Sequence, residues 1–135
     1  MDITVKNLQS KFPVLSSQIK TAALKVCKDL ALVGHKSAIS IVFVGAKRMR
    51  RINKTYLGHD YVTDVVTFDL GDTGEIIICP SVAYKNAKDY GVSVQQEHLL
   101  YVVHGLLHLA GFNDHKPKDI QRMRLKEKQL LDRLI

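Results

Sequence analysis

Two histidines four residues apart, His104 and His108, are the first side chains whose type and spacing suggest chemistry. Positions i and i+4 of an α-helix stack on one face, so this pair can aim two imidazoles at a single ion. The chain continues Leu109-Ala110-Gly111-Phe112-Asn113-Asp114-His115. Gly111 lets the backbone leave the helix and turn back. A third ligand just after the turn, Asp114 or His115, then completes a facial set with positions left open for water, the arrangement of a catalytic rather than a structural metal site. Two imidazoles with a carboxylate or a third imidazole favour zinc, one ion per chain, with other divalent transition metals also suited.

The competing reading makes both histidines ordinary helix residues. Their flanks argue against it: Leu106, Leu107 and Leu109 make the helix apolar on most sides, and two stacked imidazoles in a buried helix need a shared partner. In His-Glu-x-x-His metalloproteases the residue after the first histidine is the general base. Here it is Gly105, so peptidase chemistry lacks its base and another group, or the ion's own water, must take the proton.

The elements that must position these residues follow from periodicity. Residues 2–6 alternate weakly and suit an edge strand. Leu15, Ile19, Ala22, Ala23, Val26, Cys27 and Leu30 lie on one helical face, with Gly34 as a C-terminal stop. Residues 39–44 read as a strand. Lys47 to Tyr56 reads as a short basic helix with Met49, Ile52 and Tyr56 inward. Residues 65–68 and 75–79 are two more strands across an Asp72-Thr73-Gly74 turn. Pro80 starts a helix to Tyr90, where Tyr84 and Tyr90 are packing residues. Ser93-x-x-Gln96 is a capping box opening the histidine helix. The last helix carries Ile120, Met123, Leu130, Leu131 and Leu134. The order β-α-β-α-β-β-α-α-α implies an α+β fold, a small mixed four-stranded sheet packed with about five helices in a single domain over residues 1–135.

Composition narrows the function classes. The 46 % apolar and 24 % charged residues are ordinary for a globular domain. The longest apolar run is too short to span a bilayer, and the N-terminus lacks the layout of a signal peptide, so a cytoplasmic protein without membrane attachment is expected. Cys27 and Cys79 sit in apolar patterns and read as buried free thiols. The net charge of +7 is unevenly placed: residues 46–54 hold Lys47, Arg48, Arg50, Arg51 and Lys54 with no acid. Such a stretch suits a polyanion, nucleic acid first, or else a solvated surface.

Taken together, these segments resemble the YbeY family, metal-dependent endoribonucleases of bacterial ribosomal RNA maturation. The family hallmark, His-Gly-x-Leu-His-Leu-x-Gly-Tyr-Asp-His, is similar to His104-Gly105-Leu106-Leu107-His108-Leu109-Ala110-Gly111-Phe112-Asn113-Asp114-His115. Upstream, Ile52-Asn53, Tyr56, Thr63-Asp64-Val65-Val66-Thr67-Phe68 and Gly74-Glu75-Ile76-Ile77-Ile78 resemble further family motifs, and the likeness runs over residues 40–130. Aligned without a gap, Asp114 falls on the third ligand. A branch of the family resembles this chain there, which favours Asp114 over His115. A carboxylate in place of imidazole lowers the net charge of the site and weakens an ion's pull on its water. A second departure is Leu57, where the common pattern has an arginine suited to phosphate; Arg50, Arg51 or Lys54 could substitute for it.

The resemblance implies single-strand-specific cleavage in maturation of the 16S 3′ end and in ribosome quality control, with ribosomal RNA and ribosomal particles as partners. Alternatives are a metal hydrolase of another substrate and a non-catalytic ribosome-assembly factor with a structural metal. Among other residues, Glu97 and Tyr101 share the face of His104 and could orient an imidazole. His98 lies off that face and is expected at the surface. His59 and Asp60 could line the site mouth or simply make a turn, and Thr63-Asp64 caps or braces the loop into a strand.

Overall fold

A computed structural model describes residues 1–134. Its elements are β1 (Asp2–Asn7), α1 (Ser16–Asp29), a 3₁₀ turn (Leu32–Gly34), β2 (Ala38–Phe43), α2 (Ala46–Leu57), β3 (Val65–Asp69), β4 (Thr73–Ile78), α3 (Pro80–Tyr90), α4 (Val94–Leu109) and α5 (Pro117–Arg133). The expected order of elements is the observed one. One sheet runs β1-β2-β4-β3, with β1, β2 and β4 parallel and β3 antiparallel to β4. It is mixed because β3 and β4 are a hairpin while the other connections cross over through helices.

β2 and β4 are central and buried on both faces, which is why they read as near-continuous apolar runs. Ile39, Ile41, Phe43, Ile76 and Ile78 face the larger core, shared with α1 and α4. Val42, Val44 and Ile77 face a smaller core closed by Met49 of α2. α5 lies over α4 and anchors through Met123 and Leu130, each 1 % exposed. Among the described residues no helix is long and apolar enough to cross a membrane. Cys27 and Cys79 are buried and unbridged, and burial pushes the Cys27 thiol up to about 11, so it stays protonated.

Four local expectations are corrected. Gly34 does not end α1, which stops at Asp29; the chain turns through Ala31 (φ 56°) into the 3₁₀ turn. Tyr56 does not point inward: it is exposed, its ring edge-on to Phe68, and Asn53 takes the inward place, donating to the Tyr61 carbonyl at 3.0 Å. Tyr84 and Tyr90 are exposed as well. His98 is not at the surface but 1 % exposed, its ring edge-on to Phe43 and its Nε2 without a hydrogen-bond partner among the described residues. The reason is that α4 is wrapped on nearly every side, so the face away from His104 meets the sheet and not water.

Burial lowers the His98 pKa from 6.5 to about 4. Below pH 6.5 the unfolded chain takes up a proton that the folded chain refuses, so stability present above pH 6.5 is lost as pH falls toward 4. The full effect is about 3 kcal/mol, because each tenfold difference in proton affinity between the folded and unfolded chain is worth about 1.4 kcal/mol. Urea unfolding at pH 7 and pH 4 should show His98→Leu losing less stability on acidification than the parent chain. Equal losses in both would mean that His98 is solvated.

Candidate metal centre

α4 begins with the expected capping box: the Gln96 N–H donates to Ser93 Oγ at 3.1 Å and the Ser93 N–H to Gln96 Oε1 at 2.8 Å. The helix lies so close to β4 that a Cβ at Gly105 would come within 2.8 Å of Ile76 Cδ1 and 2.9 Å of Cγ1 and Cγ2. Those carbons belong to a fully buried β-branched side chain that has no room to give. This explains the glycine where metalloproteases carry a glutamate, and it rules that base out on steric grounds.

At the other end, Gly111 adopts φ +97°, the left-handed region that suits a residue without Cβ. Its N–H donates to the His108 carbonyl and that of Phe112 to the Leu107 carbonyl, each at 3.0 Å, a Schellman turn. The reversal has two consequences. It brings the Phe112 carbonyl to 3.1 Å from His108 Nδ1, and it swings Asp114 back over the helix.

His104, His108 and Asp114 therefore meet, a group that could hold a metal ion. The two Nε2 atoms are 3.0 Å apart, and Asp114 Oδ2 lies 3.6 Å from that of His104 and 3.8 Å from that of His108. Donors about 2.0–2.1 Å from one tetrahedral zinc ion stand roughly 3.3–3.4 Å apart, so the triangle fits such an ion closely. His115 stands outside this group.

The tautomers fit as well. A carbonyl can only accept, so His108 must carry its proton on Nδ1 and leave Nε2 bare. His104 Nδ1 is 2.9 Å from Glu127 Oε2 of α5, and donation to that carboxylate leaves its Nε2 bare too. Two facing lone pairs at 3.0 Å repel, and either a proton shared between the two Nε2 atoms or a metal ion held by both relieves this. Burial works against charge on His104, but the Glu127 hydrogen bond and the charges of Glu127, Asp114 and Asp64 outweigh it and raise its pKa. His108 is lowered, by burial first and then by its neighbour His104.

Glu127 has no counterpart among the sequence expectations, which gave the orienting role to Glu97 or Tyr101. Both of those are buried and line the cleft, but among the described residues no imidazole is bonded to either; Tyr101 Oη accepts from Asn86 instead, at 2.8 Å. The available signal was an acid on the apolar stripe of the last helix, four residues after Met123 and three before Leu130.

A cleft of 710 Å³ opens over the group, walled by Asp64, Asn86, Glu97, Tyr101, Arg124 and Glu127 among others. Thr63-Asp64 braces the loop as expected: Asp64 Oδ1 accepts from the Val65 N–H at 2.7 Å and from Thr63 Oγ1 at 3.2 Å. His59 and Asp60 do not line the cleft. His59 stacks on Tyr61, and Asp60 clamps Arg50 at 2.7 Å with Lys54 at 3.9 Å. Of the three basic residues expected to contact RNA, Arg50 and Lys54 thus share a carboxylate, while Arg51 lines a separate groove.

A protein from Elusimicrobium minutum named Endoribonuclease YbeY is 39 % identical over 129 residues, spanning 87 % of this chain and 90 % of its own. Its namesake from Azobacteroides pseudotrichonymphae is 35 % identical over 140 residues, spanning 99 % of both. The solution structure of TM1509 from Thermotoga maritima superposes with a TM-score of 0.73 at 27 % identity, covering 98 % of this chain and 88 % of that one. The family model described as Endoribonuclease YbeY matches residues 4–135. The histidine helix, the returning loop and the sheet from Thr4 onward lie inside that span, and the chain belongs to the YbeY family.

Proposed function

We propose that residues 1–135 form one metal-dependent endoribonuclease domain, in which His104, His108 and Asp114 hold a single zinc ion. In this reading the substrate is single-stranded ribosomal RNA at the 16S 3′ end. The setting is maturation and quality control of ribosomal particles in the cytoplasm. The observation that carries it is the meeting of two bare Nε2 atoms and a carboxylate at the floor of an open cleft. The relatives named Endoribonuclease YbeY supply the substrate class.

Zinc held there supplies a Lewis acid for a phosphoryl oxygen and brings the pKa of water toward about 7. The chain's own groups do the rest. Glu127 and the Phe112 carbonyl each hold a proton on an Nδ1 atom and so keep both Nε2 atoms free. Arg124 faces the cleft with a charge suited to phosphate. Arg50, Arg51 and Lys54 on α2 add contacts to the RNA backbone, which makes affinity fall with salt.

The deciding experiment measures metal content and RNA cleavage side by side, with and without a chelator. Cleavage that survives complete metal removal would sink the reading. Glu127→Gln tests the orienting contact: an amide can present either oxygen or nitrogen to Nδ1, and the charge is lost. Zinc affinity, measured by chelator competition, should weaken about 10–100-fold. Unchanged affinity would show that Glu127 only packs there.

A further inference from the structure

We propose that a second groove, lined by Lys11, Lys47, Arg48 and Arg51 and distinct from the metal cleft, holds phosphates of single-stranded RNA beside the cleavage site. It rests on the ribonuclease reading and adds a subsite to it. The groove has a volume of 390 Å³ and shares no lining residue with the metal cleft. Among the described residues it is lined by no carboxylate. None of its four cations forms an ion pair among the described residues, whereas Arg50 and Lys54 on the same helix are both drawn to Asp60.

The backbone adds to this charge. Loops after β1, β2 and β4, the three parallel strands, converge here, at the carboxyl edge where open sheets receive ligands. α2 and α3 start in the groove, and neither has a side-chain cap or an acid in its first turn. α2 instead carries Lys47 and Arg48 in that turn, positive charge on the positive end of its dipole. That arrangement opposes helix formation, and a bound anion reverses the sign. The loop carrying Lys11 is tied down: the Leu8 N–H donates to the Phe43 carbonyl at 2.8 Å, and the Gln9 amide bonds the Phe12 N–H and carbonyl at 2.9 and 2.7 Å.

Aromatic rings beside the groove point to a single strand and not to a simple anion. Phe12 and Tyr84 pair at 5.2 Å between centroids, with Lys11 Nζ 5.6 Å from the Phe12 ring and Tyr84 51 % exposed. Cations that track a backbone beside rings that stack bases are how proteins hold unpaired strands. α3 connects the sites, with Ser81 in the groove and Tyr90 in the metal cleft. At 1.5 Å per residue they are roughly 14 Å apart along the helix, within reach of one short strand.

The test measures binding of a fluorescent single-stranded RNA oligonucleotide to metal-free protein over a salt series. Arg48→Ala/Arg51→Ala should weaken binding at least tenfold and make the log–log salt slope shallower by about 1.4, at about 0.7 per lost phosphate contact. Its zinc content should stay unchanged. Lys20→Ala/Lys28→Ala, which removes equal charge from exposed positions on α1, should change affinity less than twofold. Tyr84→Ala should weaken binding with the slope kept. An equal loss in both double variants would overturn the groove, as would unaltered RNA binding in the Arg48/Arg51 variant, including the case where polyglutamate binding depends on that pair. A wild type that binds RNA through the groove but cleaves none with zinc would sink the ribonuclease reading and leave the groove standing.

Discussion

His108→Ala should abolish zinc binding and RNA cleavage together while the chain stays folded. The imidazole supplies one of three convergent donors found among the described residues, so its loss should exceed the roughly 10–100-fold effect of disturbing an orienting group. The fold should tolerate the change. His108 is 28 % exposed, so water can reach the Phe112 carbonyl it leaves behind, at a cost of about 1 kcal/mol. In the parent chain a thousandfold excess of zinc over its dissociation constant stabilises the folded state by about 4 kcal/mol, and this increment should vanish in the variant. Metal analysis, thermal unfolding with and without zinc, and an RNA cleavage assay read the three effects separately. A variant that unfolds in the absence of zinc would make the centre structural. One that keeps a full equivalent of zinc would remove His108 from the ligand set.

Asp114→Ala and His115→Ala should part company. Asp114 Oδ2 is 3.6 and 3.8 Å from the two Nε2 atoms, while His115 stands outside the group. Zinc should be lost from the first variant and retained by the second. Asp114→His sharpens the comparison. It replaces an anionic ligand with a neutral one, raising the net charge of the site, so water there becomes more acidic. The variant should keep zinc, and the acid limb of its rate–pH profile should move to lower pH. Loss of zinc in His115→Ala alone, with Asp114→Ala unaffected, would exchange the two assignments.

Much of this protein is legible along the chain because its signals are local. The capping box at Ser93, the apolar runs of β2 and β4, the His104/His108 spacing and the turn at Gly111 each depend on residues within a few positions of one another. Periodicity alone therefore places the elements, pairs the imidazoles on one face and returns the chain after the helix. The choice of Asp114 came from an ungapped alignment of the loop, and the structure brings that same residue to the imidazoles.

What the chain could not disclose by itself depends on which distant surfaces meet. His98 looks like a surface residue on a helical wheel, and only the sheet packed against α4 makes it buried. Tyr56 and Asn53 exchange places because the loop carbonyl of Tyr61 needs a donor. Glu127 lies 23 positions from His104, and no local rule connects them until α5 folds over α4. The basic stretch on α2 reads as one patch in sequence, but packing divides it: Asp60 takes Arg50 and Lys54, and the converging strand ends take Lys47, Arg48 and Arg51. Spacing along one helix was enough to pair His104 and His108 as side chains that could share a metal. Which carboxylate orients them, and where the positive charge is left unpaired, were decided by tertiary packing, because both depend on groups that become neighbours only when the elements come together.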